Sequence, residues 1–205
     1  MHINTKPLEF HAKHGLMSDP REYAAMFSDL PEDVPSLCKI VQGLLINVGW
    51  AGSYGVTILP EREMEPSIRM VSDKLERIQQ LDKRPLVEAR PPERRLISIC
   101  RDFALLLTAL LRHKGIPARA RFGFATYFFP PDVEDVYGDH VITEYWHEAE
   151  QRWVLVDPQL DELQCEAVQI DFDPCDIPRD LFLTGDVAWQ CCQNGEADPN
   201  RVVSV

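Results

Sequence analysis

Three residue types that can perform covalent acyl chemistry follow one another along this chain: a cysteine, a histidine and an aspartate. Cys100 precedes a leucine-rich run with helical spacing, so it is predicted to begin a helix. His140 lies in a β-rich segment, and Asp157 ends a second such segment directly before Pro158. Because proline cannot extend a strand ladder, the strand is expected to stop there and leave the carboxylate at a sheet end.

Each of these positions suits one role in nucleophilic catalysis by a thiol. A thiol attacks acyl carbon as the thiolate, and a free cysteine, with a pKa near ~8.5, is mostly protonated at neutral pH. The unpaired N–H groups at a helix start favour an anion and can receive the oxyanion of a tetrahedral intermediate. An imidazole can take the thiol proton, provided that a carboxylate holds its other nitrogen. We therefore predict Cys100 as nucleophile, His140 as general base and acid, and Asp157 as its orienting group.

The elements that must position these residues divide the chain into a helical first half, over 19–82, and a mixed second half. Asp19, followed by a proline and an acidic residue, predicts the start of a helix. Apolar residues then recur at helical spacing over 34–48 and again over 68–81. The proline-rich stretch 86–95 should be a loop that delivers the chain to the cysteine.

The second half is predicted to build the sheet that carries the histidine and the aspartate. Residues 118–129 are rich in β-compatible types, and a polar turn at 148–151 separates two further strands. Because the ends of adjacent antiparallel strands meet in space, this hairpin should bring His140 close to Asp157. Beyond it, two more elements are predicted: a strand over 168–172 and a helix over 186–194.

These motifs together resemble the transglutaminase-like superfamily. The resemblance spans roughly residues 95–162 and rests on the Cys100 helix that runs into Gly115-Ile116-Pro117-Ala118-Arg119, the His140 strand, and Trp153 through Asp157-Pro158. It implies an α+β fold with a papain-like core, in which the nucleophile helix packs on an antiparallel sheet. It also implies cysteine-dependent chemistry on an amide or related acyl bond through a thioester intermediate.

Two further residues are candidates for the substrate cleft. Relatives in this superfamily often supply a side-chain oxyanion donor upstream of the cysteine, and Trp50, flanked by glycines, is the corresponding candidate. The alternative for Trp50 is a core aromatic residue near a turn. Glu144 shares the strand face of His140, so it is a candidate to bind a substrate amine or to form the cleft wall. Many relatives carry a tryptophan two residues after the histidine, where this chain has Ile142.

Length and charge bound the class of protein. The 205 residues are enough for one domain with a sizeable core, so a single domain over 1–205 is predicted. The net charge of −12 argues against nucleic acid or an anionic membrane as a partner. The first seven residues lack the apolar core of a secretory signal, and no stretch approaches a membrane span in length. A cytoplasmic protein is therefore expected.

The cysteines and acidic residues do not suggest a metal or a cofactor. In a cytoplasmic chain the six cysteines are expected to be free thiols, and their spacing does not resemble a zinc knuckle. The acidic stretch 132–139 lacks the alternating ligand pattern of a calcium loop. The partner that we expect is instead a peptide, a protein or a small acyl-amide substrate.

The sequence leaves the acyl acceptor open. Hydrolysis is favoured over transfer to an amine, because water is always present and its exclusion would need a further site. Transglutaminase or another acyltransferase activity stays an alternative, although arylamine N-acetyltransferases have Arg-Gly-Gly-x-Cys where this chain has Leu96-Ile97-Ser98-Ile99-Cys100. A non-catalytic binding module on the same core is another alternative, since fold does not fix function. A structural protein in which the three residues coincide by chance is the last.

Overall fold

A computed structural model describes residues 6–129 and 136–204 of the chain. Within these residues the α-helices are α1 Lys6–His11, α2 Val34–Leu44, α3 Val71–Leu81, α4 Cys100–His113, α5 Glu162–Ala167 and α6 Gly185–Asn194. The β-strands are β1 Leu45–Asn47, β2 Leu96–Ser98, β3 Ala118–Ala125, β4 Tyr137–His147, β5 Arg152–Val156, β6 Phe182–Thr184 and β7 Val202–Ser204. Short 3-10 turns connect several of them. The predicted α+β class is confirmed.

The larger sheet is mostly antiparallel and has the strand order β5-β4-β3-β6, with β7 added parallel to β4. The predicted hairpin is present, because β4 pairs with β5 from Thr143 opposite Val156 to His147 opposite Arg152. A second, two-stranded sheet joins β1 to β2 in parallel. This small sheet links the helical first half to the residue stretch that leads into Cys100.

Helices α2, α3 and α4 bury their apolar stripes against one another and against one face of the larger sheet. The shared core includes Leu37, Leu75 and Leu107, all fully buried, together with Val154 and Val156 from β5. Truncating a buried leucine to alanine typically costs ~2–5 kcal/mol, so these contacts hold α4 firmly in place. A second cluster lies on the opposite face of the sheet and includes Ile142, Leu155, Ile177 and Phe182.

Three predicted elements differ from the structure. Residues 21–27 form a 3-10 helix, because the Asp19 carboxylate accepts the N–H of Arg21, whose φ of 50° excludes a regular first turn. The helix predicted over 34–48 ends at Leu44, and 45–47 becomes strand β1 through pairing with β2.

The strand predicted over 168–172 was also wrong. The Asp161 side chain accepts the N–H of Gln164 and caps α5, which occupies the preceding residues. Gln169 has a φ of 56°, which is incompatible with a strand, and the Ile170 N–H donates back to the Cys165 carbonyl. Helix α6, in contrast, ends as predicted at Gly195, whose φ of 74° is the left-handed conformation that glycine adopts freely.

Part of the acidic stretch 132–139 lies outside the described residues, and its last residues begin β4. Among the helices that the structure describes, none combines the length and the apolar character that a membrane crossing requires. The assignment of the whole chain to a single domain stays a prediction.

Candidate active site

Cys100 is the first residue of α4, and its position is fixed from both sides. Strand β2 ends two residues earlier, and Ile99 keeps an extended backbone with φ −121° and ψ 171°. The Asp102 carboxylate accepts the Ile99 N–H at 3.0 Å, which satisfies a backbone donor just before the helix. Buried Lys74 of α3 pairs with the same carboxylate at 2.9 Å. The start of the helix is therefore held to α3 as well as to the sheet.

His140 and Asp157 meet where β5 leaves the sheet. Past Val156 the chain no longer pairs with β4, and the His140 Nε2 lies 2.7 Å from the Asp157 Oδ2. Both side chains are buried, with relative exposures of 2% and 0%. The Asp157 Oδ1 accepts the Gln159 N–H at 3.0 Å, so the backbone also orients the carboxylate.

Cys100 and His140 line the same pocket, and Cys100 contributes to the pKa of the His140 ring. Since Nε2 faces the carboxylate, Nδ1 is the nitrogen left for the sulfur. Burial on its own lowers the pKa of His140, but the Asp157 carboxylate, assisted by Cys100, outweighs burial and raises that pKa to about 10. At neutral pH the His140 ring is therefore an imidazolium, and its two neighbours that can carry negative charge are the Asp157 carboxylate and the Cys100 thiol.

β3 and β6 leave room for this arrangement at one glycine. Gly123 pairs directly with His140 across the β3–β4 ladder. A Cβ added at Gly123 would lie 2.3 Å from the Leu183 carbonyl oxygen and 2.7 Å from the Phe182 ring. Any side chain there would push β6 away from β3, the strand that pairs with β4 beside His140.

A pocket with a volume of about 370 Å³ opens onto Cys100 and His140. Trp50 lies on its wall. Its role as an oxyanion donor stays a prediction. No hydrogen-bond partner of the Trp50 indole occurs within 6–129 and 136–204. The other lining residues are uncharged: Asn47, Val48, Gly49, Ile99, Phe128, Gln159 and Val168.

The sequence model of the Transglutaminase-like superfamily matches residues 79–158, which contain Cys100, His140 and Asp157. Residues 79–158 are therefore similar to the transglutaminase-like superfamily. This similarity supports cysteine-based acyl chemistry as the general class of reaction. A search of curated proteins gives no match to the chain.

The crystal structure of a candidate cysteine protease from Cytophaga hutchinsonii is similar to this chain. The superposition has a TM-score of 0.51 with 16% sequence identity and covers 87% of this chain. It covers 46% of the other protein, so the chain spans about half the length of that relative. At this identity the likeness shows the fold.

Two aromatic residues, whose contacts with the histidine and the aspartate the sequence did not predict, complete the surroundings of His140. The buried Tyr127 hydroxyl donates to the Asp157 Oδ2 at 2.9 Å, and burial followed by Asp157 raises the pKa of Tyr127 well above its usual value. Tyr127 therefore remains a neutral donor. The Phe128 ring packs edge-on to the His140 ring with 4.9 Å between centroids. Both residues lie in 118–129, where their aromatic character predicted a strand and gave no sign of their neighbours.

Glu144 does not line the pocket, which corrects the expectation that it forms part of the cleft. It shares the sheet face of His140, but four residues along a strand separate the two by roughly 13 Å. Its buried carboxylate instead pairs with Arg119 at 2.7 Å and with Arg179 at 2.9 Å. Glu144 thus joins β3 and the 179 segment to the hairpin as a structural charge cluster.

We expect Glu144→Gln to lower the free energy of unfolding by about 2 kcal/mol, because three guanidinium groups, those of Arg119, Arg121 and Arg179, lose their shared carboxylate. The rate at which iodoacetamide alkylates Cys100 should not change. Urea unfolding and peptide mapping measure the two quantities. Glu150→Gln is the control, since Glu150 forms a half-exposed ion pair with Arg152 in the same hairpin, and it should cost less than about 1 kcal/mol. Slower alkylation of Cys100 together with unchanged stability in Glu144→Gln would indicate instead that Glu144 belongs to the cleft.

Among the described residues, no group of three His, Cys, Asp or Glu side chains is arranged as a set of metal ligands. The described cysteines are free thiols.

Proposed function

We propose that this protein hydrolyses an amide or a related acyl bond through a thioester on Cys100. The observation that carries the proposal is the buried His140, which has Asp157 at 2.7 Å on one ring nitrogen and shares the wall of a pocket with Cys100. This arrangement suits an ion pair in which Cys100 is the thiolate and His140 the imidazolium. Catalytic cysteines in other proteins act in that form.

In the first half of the proposed reaction the Cys100 sulfur attacks the acyl carbon and a tetrahedral oxyanion forms. His140 then donates its proton to the leaving amine, the carbon–nitrogen bond breaks, and a thioester remains on Cys100. Asp157 holds the ring, while the Tyr127 hydroxyl and the Gln159 N–H hold Asp157. Hydrogen bonds to three groups therefore fix the carboxylate before a substrate arrives.

In the second half, neutral His140 takes a proton from water, and the resulting hydroxide equivalent attacks the thioester carbon. The carbon–sulfur bond breaks, the acid leaves, and the thiolate and the imidazolium are restored. The uncharged lining of the pocket favours a neutral acyl group next to Cys100, such as an amide of a peptide, a protein or a small molecule. Water is the acceptor that we propose, because it needs no further binding site.

Two donors are proposed for the oxyanion. The Cys100 N–H lies in the first turn of α4, where backbone donors have no partner within the helix. The Trp50 indole lies on the pocket wall and could supply a second hydrogen bond. Two donors that point at one developing charge form the usual oxyanion hole of acyl transfer.

The test of the proposed function is to trap and identify the acyl-enzyme. The protein is incubated with a small library of acyl amides and with p-nitrophenyl acetate, with and without added primary amines. The mass of the peptide that contains Cys100 is then measured by mass spectrometry. Acylation of Cys100 followed by release of the free acid supports hydrolysis. Release of the amide of the added amine would favour the transferase alternative. Absence of any acyl adduct across the library would favour a binding module.

Trp50→Phe is expected to slow acylation of Cys100 roughly 10²-fold, because phenylalanine keeps an aromatic ring in the wall but removes the indole N–H. The burst of p-nitrophenol from p-nitrophenyl acetate measures this rate. Trp189→Phe, at an exposed position of α6, should react like the wild type. An unchanged burst in Trp50→Phe would mean that Trp50 only packs against the pocket.

A further inference from the structure

A larger cavity lies on the other side of Asp157 and contains a group of thiols that the proposed reaction does not use. Its volume is about 660 Å³, and Asp157 forms part of its wall. Cys38, Cys165 and Cys175 also line it. Three of the six cysteines of the chain therefore face one space that adjoins the candidate active site.

Two of these thiols, Cys38 and Cys175, line one cavity although they are 137 positions apart in the chain. Cys38 is in the middle of α2, and Cys175 packs against the core cluster that contains it. Both therefore lie in the same packed region at the cavity wall. Cys165 packs instead against the second core cluster.

The environments of the pair differ in a way that assigns them different roles. Cys38 is 4% exposed, whereas Cys175 is partly exposed at the cavity wall. Cys38 lowers the pKa of Cys175, whereas Cys175 and burial raise the pKa of Cys38. Cys175 is therefore the thiol that a reagent in the cavity meets first and the one that ionises more readily.

We propose that Cys38 and Cys175 form a redox-active dithiol that closes reversibly to a disulfide when a hydroperoxide enters the cavity. The Cys175 thiolate attacks the peroxide, the oxygen–oxygen bond breaks, and Cys175 becomes a sulfenic acid as hydroxide leaves. The Cys38 sulfur then attacks the Cys175 sulfur, a sulfur–sulfur bond forms, and water leaves with the proton of Cys38. In sum, two thiols lose two electrons and two protons, and hydrogen peroxide is reduced to two waters.

The disulfide would also be connected to the candidate active site through a backbone hydrogen bond next to Cys175. Cys175 lies in a tight turn in which the Asp176 N–H donates to the Asp173 carbonyl at 2.9 Å. The neighbouring Pro174 carbonyl accepts the Asp157 N–H, also at 2.9 Å. A bond from Cys175 to Cys38 would therefore fasten α2 to the segment that holds Asp157. The dithiol itself does not depend on the proposed acyl chemistry.

The test uses the full-length Cys100→Ala protein, so that the candidate nucleophile does not compete for the oxidant. After treatment with hydrogen peroxide, digestion without reductant should yield one peptide that links Cys38 to Cys175. The melting temperature should rise by roughly 5–10 °C, because the bond closes a very long loop, and dithiothreitol should reverse the rise. Cys38→Ser and Cys175→Ser should each lose both the link and the rise, whereas Cys165→Ser should keep both.

Three results would overturn the proposal. One is a Cys175 that is oxidised to the sulfinic acid while Cys38 stays reduced. Another is a link from Cys175 to Cys165. The third is a Cys38–Cys175 link that dithiothreitol cannot reduce in the folded protein. None of these measurements depends on catalysis, so failure of the dithiol and failure of the thioester chemistry can be told apart.

Discussion

Cys100→Ala is expected to abolish acyl-enzyme formation and turnover on any substrate that the acyl library identifies. Loss of the sulfur removes the covalent path, so the residual rate should fall to that of the solution reaction. The melting temperature should remain nearly unchanged, because Cys100 is only partly buried and faces a pocket. Product release measured by mass spectrometry and a thermal scan on the same sample give both quantities.

Cys165→Ala is the matched control for this substitution. Cys165 is also partly buried, and it lines the adjacent cavity without contact to His140. It should retain full turnover. Equal turnover in Cys100→Ala and the wild type would refute thiol catalysis and favour the binding-module alternative. A large loss of stability in Cys100→Ala would instead give Cys100 a packing role.

Asp157→Asn should lower the pKa of His140 from about 10 to near or below its ordinary 6.5. Asparagine keeps the shape of the side chain but removes the charge that outweighs burial, so burial then dominates. An NMR titration of the ring measures this directly. The wild-type ring should remain protonated at pH 8. Turnover in Asp157→Asn should fall by roughly two to four orders of magnitude, since the ring loses both its charge and its fixed tautomer.

The same shift predicts how stability depends on pH. The folded-state pKa of His140 lies above the unfolded value of 6.5, so its contribution to the free energy of unfolding is complete below about pH 6.5. That contribution is lost as the pH rises through about 10.

Asp161→Asn is the control for the Asp157→Asn titration, because Asp161 caps α5 and binds Tyr54 without touching His140. A ring that titrates near 6.5 in both the wild type and Asp157→Asn would contradict the proposed ion pair.

Local signals in the sequence were sufficient to find the residues that the structure brings together. The leucine run after Cys100 sets a helix start, and Pro158 ends a strand at Asp157. The polar turn at 148–151 then predicts a hairpin, which brings Asp157, directly after β5, close to His140 on β4. Each signal acts within a few residues, so no knowledge of the tertiary structure was needed. The roles assigned to these three residues remain proposals.

Long-range pairing decided the features that the sequence could not predict. The apolar spacing of 34–44 continues through 45–48, and only β2, some fifty residues later, makes 45–47 a strand. Glu144 shares a face with His140, yet Arg179, from a segment beyond the hairpin, determines its partners. The Tyr127 bond to Asp157 joins residues thirty positions apart. Periodicity carries no information about such contacts.

The parallel pairing of β1 with β2 has a consequence for where this protein can be cut. Sequence similarity to the transglutaminase-like superfamily spans 79–158, but Asn47 and Trp50 of the pocket wall lie before that span. Strand β1, helix α2 and most of helix α3 also lie before it, although β1 pairs with β2 and both helices share the core of α4. A fragment trimmed to the region of similarity would expose the leucines of α4 to water and lose half of the pocket. A fragment that folds by itself must therefore be longer than the matched segment 79–158, and it should begin at or before the start of α2.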